Sequence, residues 1–216
     1  MVRPRQPILT RARIVHVATT IIDAEGLDAL SMRRLATELE VRAPSLYNHF
    51  ATKEEILDAV GDAIIAEVDL SMFGRDEWPA ALLAWARAYR AALSAHPNIV
   101  PFLARGPGRR PAALRLADAV YGCLVDAGWP RGYATRIGAL LRYLVAGSAL
   151  GSFSLGFVDD PDLYAAAYPH LADAHRLPEH RQQVDEGAFE LGLDTLVAGL
   201  TARFDELARS RAGTLS

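Results

Sequence analysis

Residues 31–50, SMRRLATELEVRAPSLYNHF, gather a guanidinium (Arg33), two hydroxyls (Ser45, Tyr47), an amide (Asn48) and an imidazole (His49). Groups of this kind hydrogen-bond phosphate oxygens and base edges, so the chemistry they suit is nucleic-acid recognition. The intervening residues describe the elements that must position them. Ser31 stands where an N-cap belongs, able to accept a backbone N–H from Arg33 or Arg34. Leu35 and Leu39, four apart, share one helix face and leave Arg33, Arg34 and Thr37 elsewhere. Pro44 suits the first turn of a second helix, where its missing N–H costs nothing. Leu46 and Phe50 anchor that helix inward, so that Tyr47, Asn48 and His49 lie at or near its exposed face. Thr52 with Glu55 forms a capping box that opens the next helix. Helix, tight turn and helix in this order form a DNA-reading unit, with the second helix in the major groove and the first across the backbone.

The longer segment LSMRRLATELEVRAPSLYNHFATKEEIL closely resembles the DNA-binding region of the tetracycline-repressor (TetR) family of transcriptional regulators. The resemblance implies DNA contacts from Arg33, Ser45, Tyr47, Asn48, His49 and Lys53. Arg33 is the best base reader among them, since a guanidinium bonds guanine O6 and N7 together. Ser45, Tyr47, His49 and Lys53 suit phosphates, which set register rather than sequence. One position departs from the family pattern: Glu40 stands in the turn where glycine is usual. If the backbone there is left-handed, glutamate costs roughly 1 kcal/mol relative to glycine.

The chain has 216 residues, enough for one large or two small domains, and its 51% apolar content excludes a disordered polypeptide. Residues 1–53 hold eight Arg/Lys against five Asp/Glu, a net +3, so the remainder carries −6 of the overall −3. A basic module on an acidic body fits nucleic-acid contact confined to one end. The single cysteine, Cys123, excludes an intramolecular disulfide and fits a reducing cytoplasm. The N-terminal MVRPRQPILTRARI lacks the apolar region of a signal peptide, and the uncharged run 143–158 is short for a membrane span. A cytoplasmic protein is expected.

Helical periodicity runs through the chain and strand alternation is absent, so the expected fold class is all-α. Residues 1–8 form an Arg- and Pro-containing arm, and a first helix from Leu9 to Glu25 is stopped by Gly26. A fourth helix from Lys53 to Asp69 links the helix-turn-helix head, residues 1–52, to a larger body, residues 53–216. Further helices are expected at 78–95, 99–103, 111–127, 131–157, 162–174 and 184–209, with loops at RGPGRRP and 177–182.

The body is expected to serve dimerisation and ligand binding. Phe189, Leu193, Leu196, Leu200 and Phe204 recur at spacings of three and four, an apolar stripe suited to helix packing. Helix 131–157 offers a small-residue surface that includes Gly147 and Gly151. FELGLDTLVAGL also resembles the final helix of the tetracycline-repressor-like body, which implies that these two helices from each subunit form a four-helix homodimer interface. A dimer would read two half-sites of an inverted repeat in double-stranded operator DNA. The same resemblance implies a pocket for a small-molecule effector whose occupancy moves the fourth helix and respaces the DNA heads. Trp85, Tyr89, Phe102, Tyr121, Tyr143 and Phe153 are its aromatic candidates. Arg142, the only charge between Ile137 and Val158, is placed to anchor an anionic effector or to pair with a carboxylate across the dimer. The tetracycline-binding members of the family use a histidine to help hold the drug's magnesium. HPNIVPFLARGPG offers no convincing counterpart, which makes tetracycline a poor effector here.

Two rival readings are a metal-dependent enzyme and a helical protein-interaction module. His170, His175 and His180, with Asp173 and Glu179 among them, invite a metal reading. Their spacing of five turns successive side chains about 140° apart on a helix, Pro178 interrupts it, and the i, i+4 pair of a zinc helix is missing. Solvated loop histidines are the expectation, with no metal, no cofactor and no catalytic residue. The reading that follows is a transcriptional regulator, a repressor released by an effector, and not an enzyme.

Overall fold

The computed structural model describes residues 9–106 and 108–214, and the expected arm at 1–8 lies outside them. The described residues form ten α-helices joined by short 3-10 turns, with no strand among them. Helix α1 (Arg11–Glu25) opens on Thr10, whose hydroxyl accepts the Arg13 N–H, and ends at Gly26 with φ 87°. Helix α2 (Met32–Glu38) is capped by Ser31, which accepts from Arg34. Helix α3 (Ala43–Tyr47) carries Pro44 in its first turn. Helix α4 (Lys53–Ala66) begins at Thr52, whose hydroxyl accepts the Glu55 N–H. The Glu55 carboxylate reaches back to the Ala51 N–H at 2.8 Å, one residue beyond the usual capping-box donor.

The α2–α3 turn contains the one described non-glycine residue with positive φ, Glu40 at 55°. The Glu40 N–H bonds Thr37 O and the Val41 N–H bonds Ala36 O, the paired closure of a Schellman motif. Glu40 therefore occupies the left-handed position at which glycine is normal. Leu35, Leu39, Leu46 and Phe50 are buried with Ile14, Ala18 and Ile21 of α1, in a hydrophobic core that continues through α4 into the body.

Helices α5 (Trp78–Ser94), α6 (Val100–Leu103), α7 (Pro111–Asp126) and α8 (Arg131–Ala149) form the body, followed by α9 (Pro161–Ala167) and the 34-residue α10 (Arg181–Thr214). A second Schellman closure, with Gly128 at φ 104° and the Trp129 N–H on Leu124 O, reverses the chain between α7 and α8. The helix expected through Phe157 ends at Ala149. Gly147 and Gly151 weaken it, and the Ser152 hydroxyl accepts the Ser154 N–H to start the 3-10 turn Phe153–Gly156 instead. The element expected at 162–174 ends at Ala167 before Pro169, and the loop expected at 177–182 is a 3-10 turn, Ala174–His180, leading into α10. No helix among the described residues is long and apolar enough to cross a membrane.

Helix α4 joins head and body. It packs against α1 on one side and α7 on the other. Asp62 on α4 accepts the Ala112 N–H at 2.6 Å, so it caps α7 from a neighbouring helix. A second joint lies at the end of α1. The Asn98 side-chain amide donates to the Ile22 and Asp23 carbonyls at 2.9 and 3.0 Å, and His96 Nδ1 lies 2.8 Å from Asp23 Oδ2. The Ile22 carbonyl, which also accepts the Gly26 N–H, and the Asp23 carbonyl thus find a partner in the body.

Candidate nucleic-acid interface and internal cavity

In the head, the two adjacent arginines have different fates. Arg34 bonds Glu25 at 2.9 Å and lies 3.6 Å from Glu38, so its charge is engaged in holding α2 to α1. Arg33 is exposed and makes no ion pair among the described residues. Tyr47 is 55% exposed, Asn48 is exposed, and Ser45 and His49 are half-buried at the same end of the unit. The Lys53 ammonium donates to the Leu27 carbonyl at 3.0 Å, which ties the turn after α1 to the start of α4. Arg11 was not among the sequence candidates. Its guanidinium covers the Phe50 ring at 3.8 Å and donates to the His49 carbonyl, clamping α1 to the end of α3. Only the folded arrangement reveals that role.

The body encloses a cavity of about 200 Å³ bounded by α4, α5, α7 and α8. Five of the seven sequence candidates line it: Trp85, Tyr89, Tyr121, Arg142 and Tyr143. Trp85 and Tyr89 stack with ring centroids 5.8 Å apart, and Tyr143, 71% exposed, stands at the mouth. Phe102 and Phe153 do not line it. The Phe102 ring lies beneath the Arg105 and Arg110 guanidiniums outside the lining, and Phe153 is 69% exposed because α8 ends before reaching it. Arg142 donates from one Nη2 to the Leu103 and Ala104 carbonyls, each at 2.9 Å, at the end of α6.

Sequence reasoning missed Arg110. It is buried, lines the cavity, lies 3.6 Å from Asp58 on α4 and donates to the Gly106 carbonyl. Burial pushes its pKa down while Asp58 opposes that shift, and burial pushes the Tyr89 phenol up against the pull of Arg142. Within RGPGRRP, Arg110 has no distinguishing pattern, since its burial depends on the approach of α4. Gly61 marks the closeness of that approach: a Cβ there would stand 2.5 Å from Leu103 Cδ2.

The predicted dimer stripe packs against the chain's own body. Phe189 (3% exposed) and Leu193 (0%) lie within the subunit's own core, and Leu196, Leu200 and Phe204 pack partly buried against it. Phe204 contacts Trp78 and Trp129. The stripe thus holds α10 to α5 and α8 of the same chain, because burying it there already removes it from water. Gly147 and Gly151 are exposed with open space around them, as a contact surface requires. On α10 the outward apolar residue is Leu191, 72% exposed, and on α8 they are Leu140 and Tyr143. Among the histidines, His175 and His180 approach backbone carbonyls of their own turn, and no cluster of three metal-ligand side chains occurs among the described residues.

Comparison with known proteins agrees with this architecture. Residues 14–60 match the family described as bacterial regulatory proteins, tetR family, and residues 72–204 match the tetracyclin repressor-like C-terminal domain. An HTH-type transcriptional regulator of Saccharopolyspora erythraea is 32% identical over 205 residues, covering 91% of this chain and 86% of that protein. The tetracycline repressor protein class A of Escherichia coli is 31% identical over 198 residues, covering 88% and 89%. Among solved structures, Streptomyces coelicolor ActR in complex with actinorhodin superposes with a TM-score of 0.73 at 31% identity, covering 91% of this chain and 98% of that one. The chain belongs to the tetracycline-repressor (TetR) family and is a DNA-binding transcriptional regulator.

Proposed function

We propose that a homodimer of this chain represses transcription in the cytoplasm from an inverted-repeat operator, and that a small molecule in the body cavity releases it. In this reading residues 1–52 form the DNA-binding unit and residues 53–216 the effector-binding and dimerisation unit, with α4 between them. Arg33 reads a base edge, Asn48 lies against the groove, and Ser45, Tyr47, His49 and Lys53 hold phosphates. No catalytic step is assigned to any residue. The dimer face comprises the outward sides of α8 and α10, with Gly147, Gly151, Leu140, Tyr143 and Leu191, in place of the inward stripe.

The observation that carries the release step is the position of α4. Ile65 of α4 lines the cavity, Gly61 receives Leu103, Asp58 faces Arg110 and Asp62 caps α7, while the opposite side of α4 packs on α1. A ligand that favours another arrangement of these contacts shifts the DNA-competent population, with 1 to 3 kcal/mol of coupling changing operator affinity by about 5- to 150-fold. ActR with actinorhodin and the tetracycline repressors supply precedent for small-molecule effectors. No histidine lines this cavity, so a magnesium-bound tetracycline remains a poor match.

The test is selection of binding sites from a random duplex library at a fixed, near-physiological salt concentration. Enrichment of an inverted repeat with half-sites about one helical turn, roughly 34 Å, apart is the expected result. Enrichment of single, unpaired sites would overturn the dimeric reading, and no enrichment would overturn operator recognition. Affinity for the enriched site is expected to fall with salt at a logarithmic slope near −0.9 per phosphate contacted.

A further inference from the structure

The charge of the cavity wall is one-sided. Its lining includes two guanidiniums, Arg110 and Arg142, and no aspartate or glutamate. Arg110 faces the Asp58 carboxylate. Arg142 has none: its partners are the Leu103 and Ala104 carbonyls and the Tyr89 hydroxyl, and no carboxylate lies within ion-pairing distance of it among the described residues. A half-buried cation compensated only by neutral dipoles raises the potential of the space beside it. The rest of the wall is mostly apolar: Trp85, Tyr89 and Tyr121 supply its aromatic part, and Ile65, Leu103, Leu116 and Val120 with small residues supply the remainder. At about 200 Å³ the space lies below the roughly 300–1,000 Å³ of pockets for drug-sized ligands.

We propose that the effector is a planar aromatic monoanion of two or three rings, its carboxylate held by Arg142 and its ring system lying against Trp85, Tyr89 and Tyr121. This rests on the cavity being the effector site, as read above. One uncompensated guanidinium selects one negative charge. A carboxylate offers the remaining N–H groups of Arg142 a charge-assisted bond that a carbonyl cannot match, and the aromatic side of the wall selects a flat ring. Neutral analogues lose the charge term, and cations are repelled by both arginines.

The experiment compares anthraquinone-2-carboxylate with anthraquinone-2-carboxamide, near-equal in shape and different in charge, by calorimetry on the full chain without DNA. The acid is expected to bind roughly ten-fold or more tightly than the amide. Arg142→Gln is expected to reduce that preference to within about two-fold, while Arg142→Lys, which keeps the charge, retains part of it. Equal binding of acid and amide to the unaltered chain would overturn the proposal without recourse to any variant. So would binding of neither probe at millimolar concentration, or an acid preference that survives Arg142→Gln in protein with an unchanged circular dichroism spectrum. Operator binding of the ligand-free protein, measured on the same preparation, reads the regulator function separately, since calorimetry without DNA does not depend on it.

Discussion

Glu40 shows how much a single backbone position can carry. Its φ of 55° closes α2 in a geometry that disfavours any side chain bearing a Cβ. Glu40→Gly is expected to stabilise the protein by roughly 1 kcal/mol, a rise of about 2–4 °C in Tm for a chain of this size, measured by thermal melting. An unchanged or lower Tm would mean that the Glu40 side chain compensates the strain. The neighbouring arginines separate recognition from stability. Arg33→Ala is expected to relax base preference at one operator position and cost about 1–3 kcal/mol of binding, with little change in Tm. Arg34→Ala, by loss of its exposed bonds to Glu25 and Glu38, is expected to cost up to about 1 kcal/mol of folding stability. Measuring Tm and operator Kd for both variants distinguishes the roles, and equal effects on Kd would contradict the assignment. The motif made both arginines visible, but their difference arises from Glu25, which stands nine residues away on another helix.

At the scale of elements, the joint between α4 and α7 is built from atoms far apart in sequence. The Asp62 carboxylate accepts the buried Ala112 N–H, an orphan donor of the first turn of α7. Asp62→Ala is expected to leave that N–H unsatisfied and to cost about 1–3 kcal/mol, whereas Asp62→Asn, which keeps an acceptor oxygen, recovers most of the loss. Thermal melts of the pair check this, and equal losses in both would assign the effect to charge rather than to the bond. Operator release measured alongside reports whether the joint also transmits occupancy of the cavity. Local signals located most elements well: Ser31 and Thr52 cap their helices, and Gly26 and Gly128 end theirs, while the first helix, expected from Leu9, starts at Arg11 behind the Thr10 cap. They misjudged the end of α8, where a run of apolar residues continues past the point at which glycines and the Ser152 hydroxyl break the helix.

For the whole molecule the proposed dimer surface is the outer side of α8 and α10. Leu191→Glu places a charge on an exposed apolar position and is expected to weaken the dimer and operator binding together, with a Tm change that follows protein concentration. Leu193→Ala, two residues away but inside the subunit, is expected to cost about 2–5 kcal/mol of folding stability through a cavity while leaving the folded fraction dimeric. Sedimentation of both variants checks the assignment. A monomeric Leu193→Ala beside a dimeric Leu191→Glu would restore the stripe of Phe189, Leu193, Leu196, Leu200 and Phe204 as the interface.

The all-helical architecture, the helix-turn-helix and the strained turn at Glu40 are determined by the sequence alone, because caps, glycine stops and apolar spacing act over three to five residues. Five of the seven residues proposed from the sequence line the cavity, since aromatic side chains on the inner faces of long helices have few places to go. Only the tertiary structure decided which arginine is free, that Arg110 is buried beside α4, and which side of α10 remains outside. Each of those outcomes depends on a partner from a distant helix, and an apolar stripe carries no mark of whether its own chain or a second one will cover it.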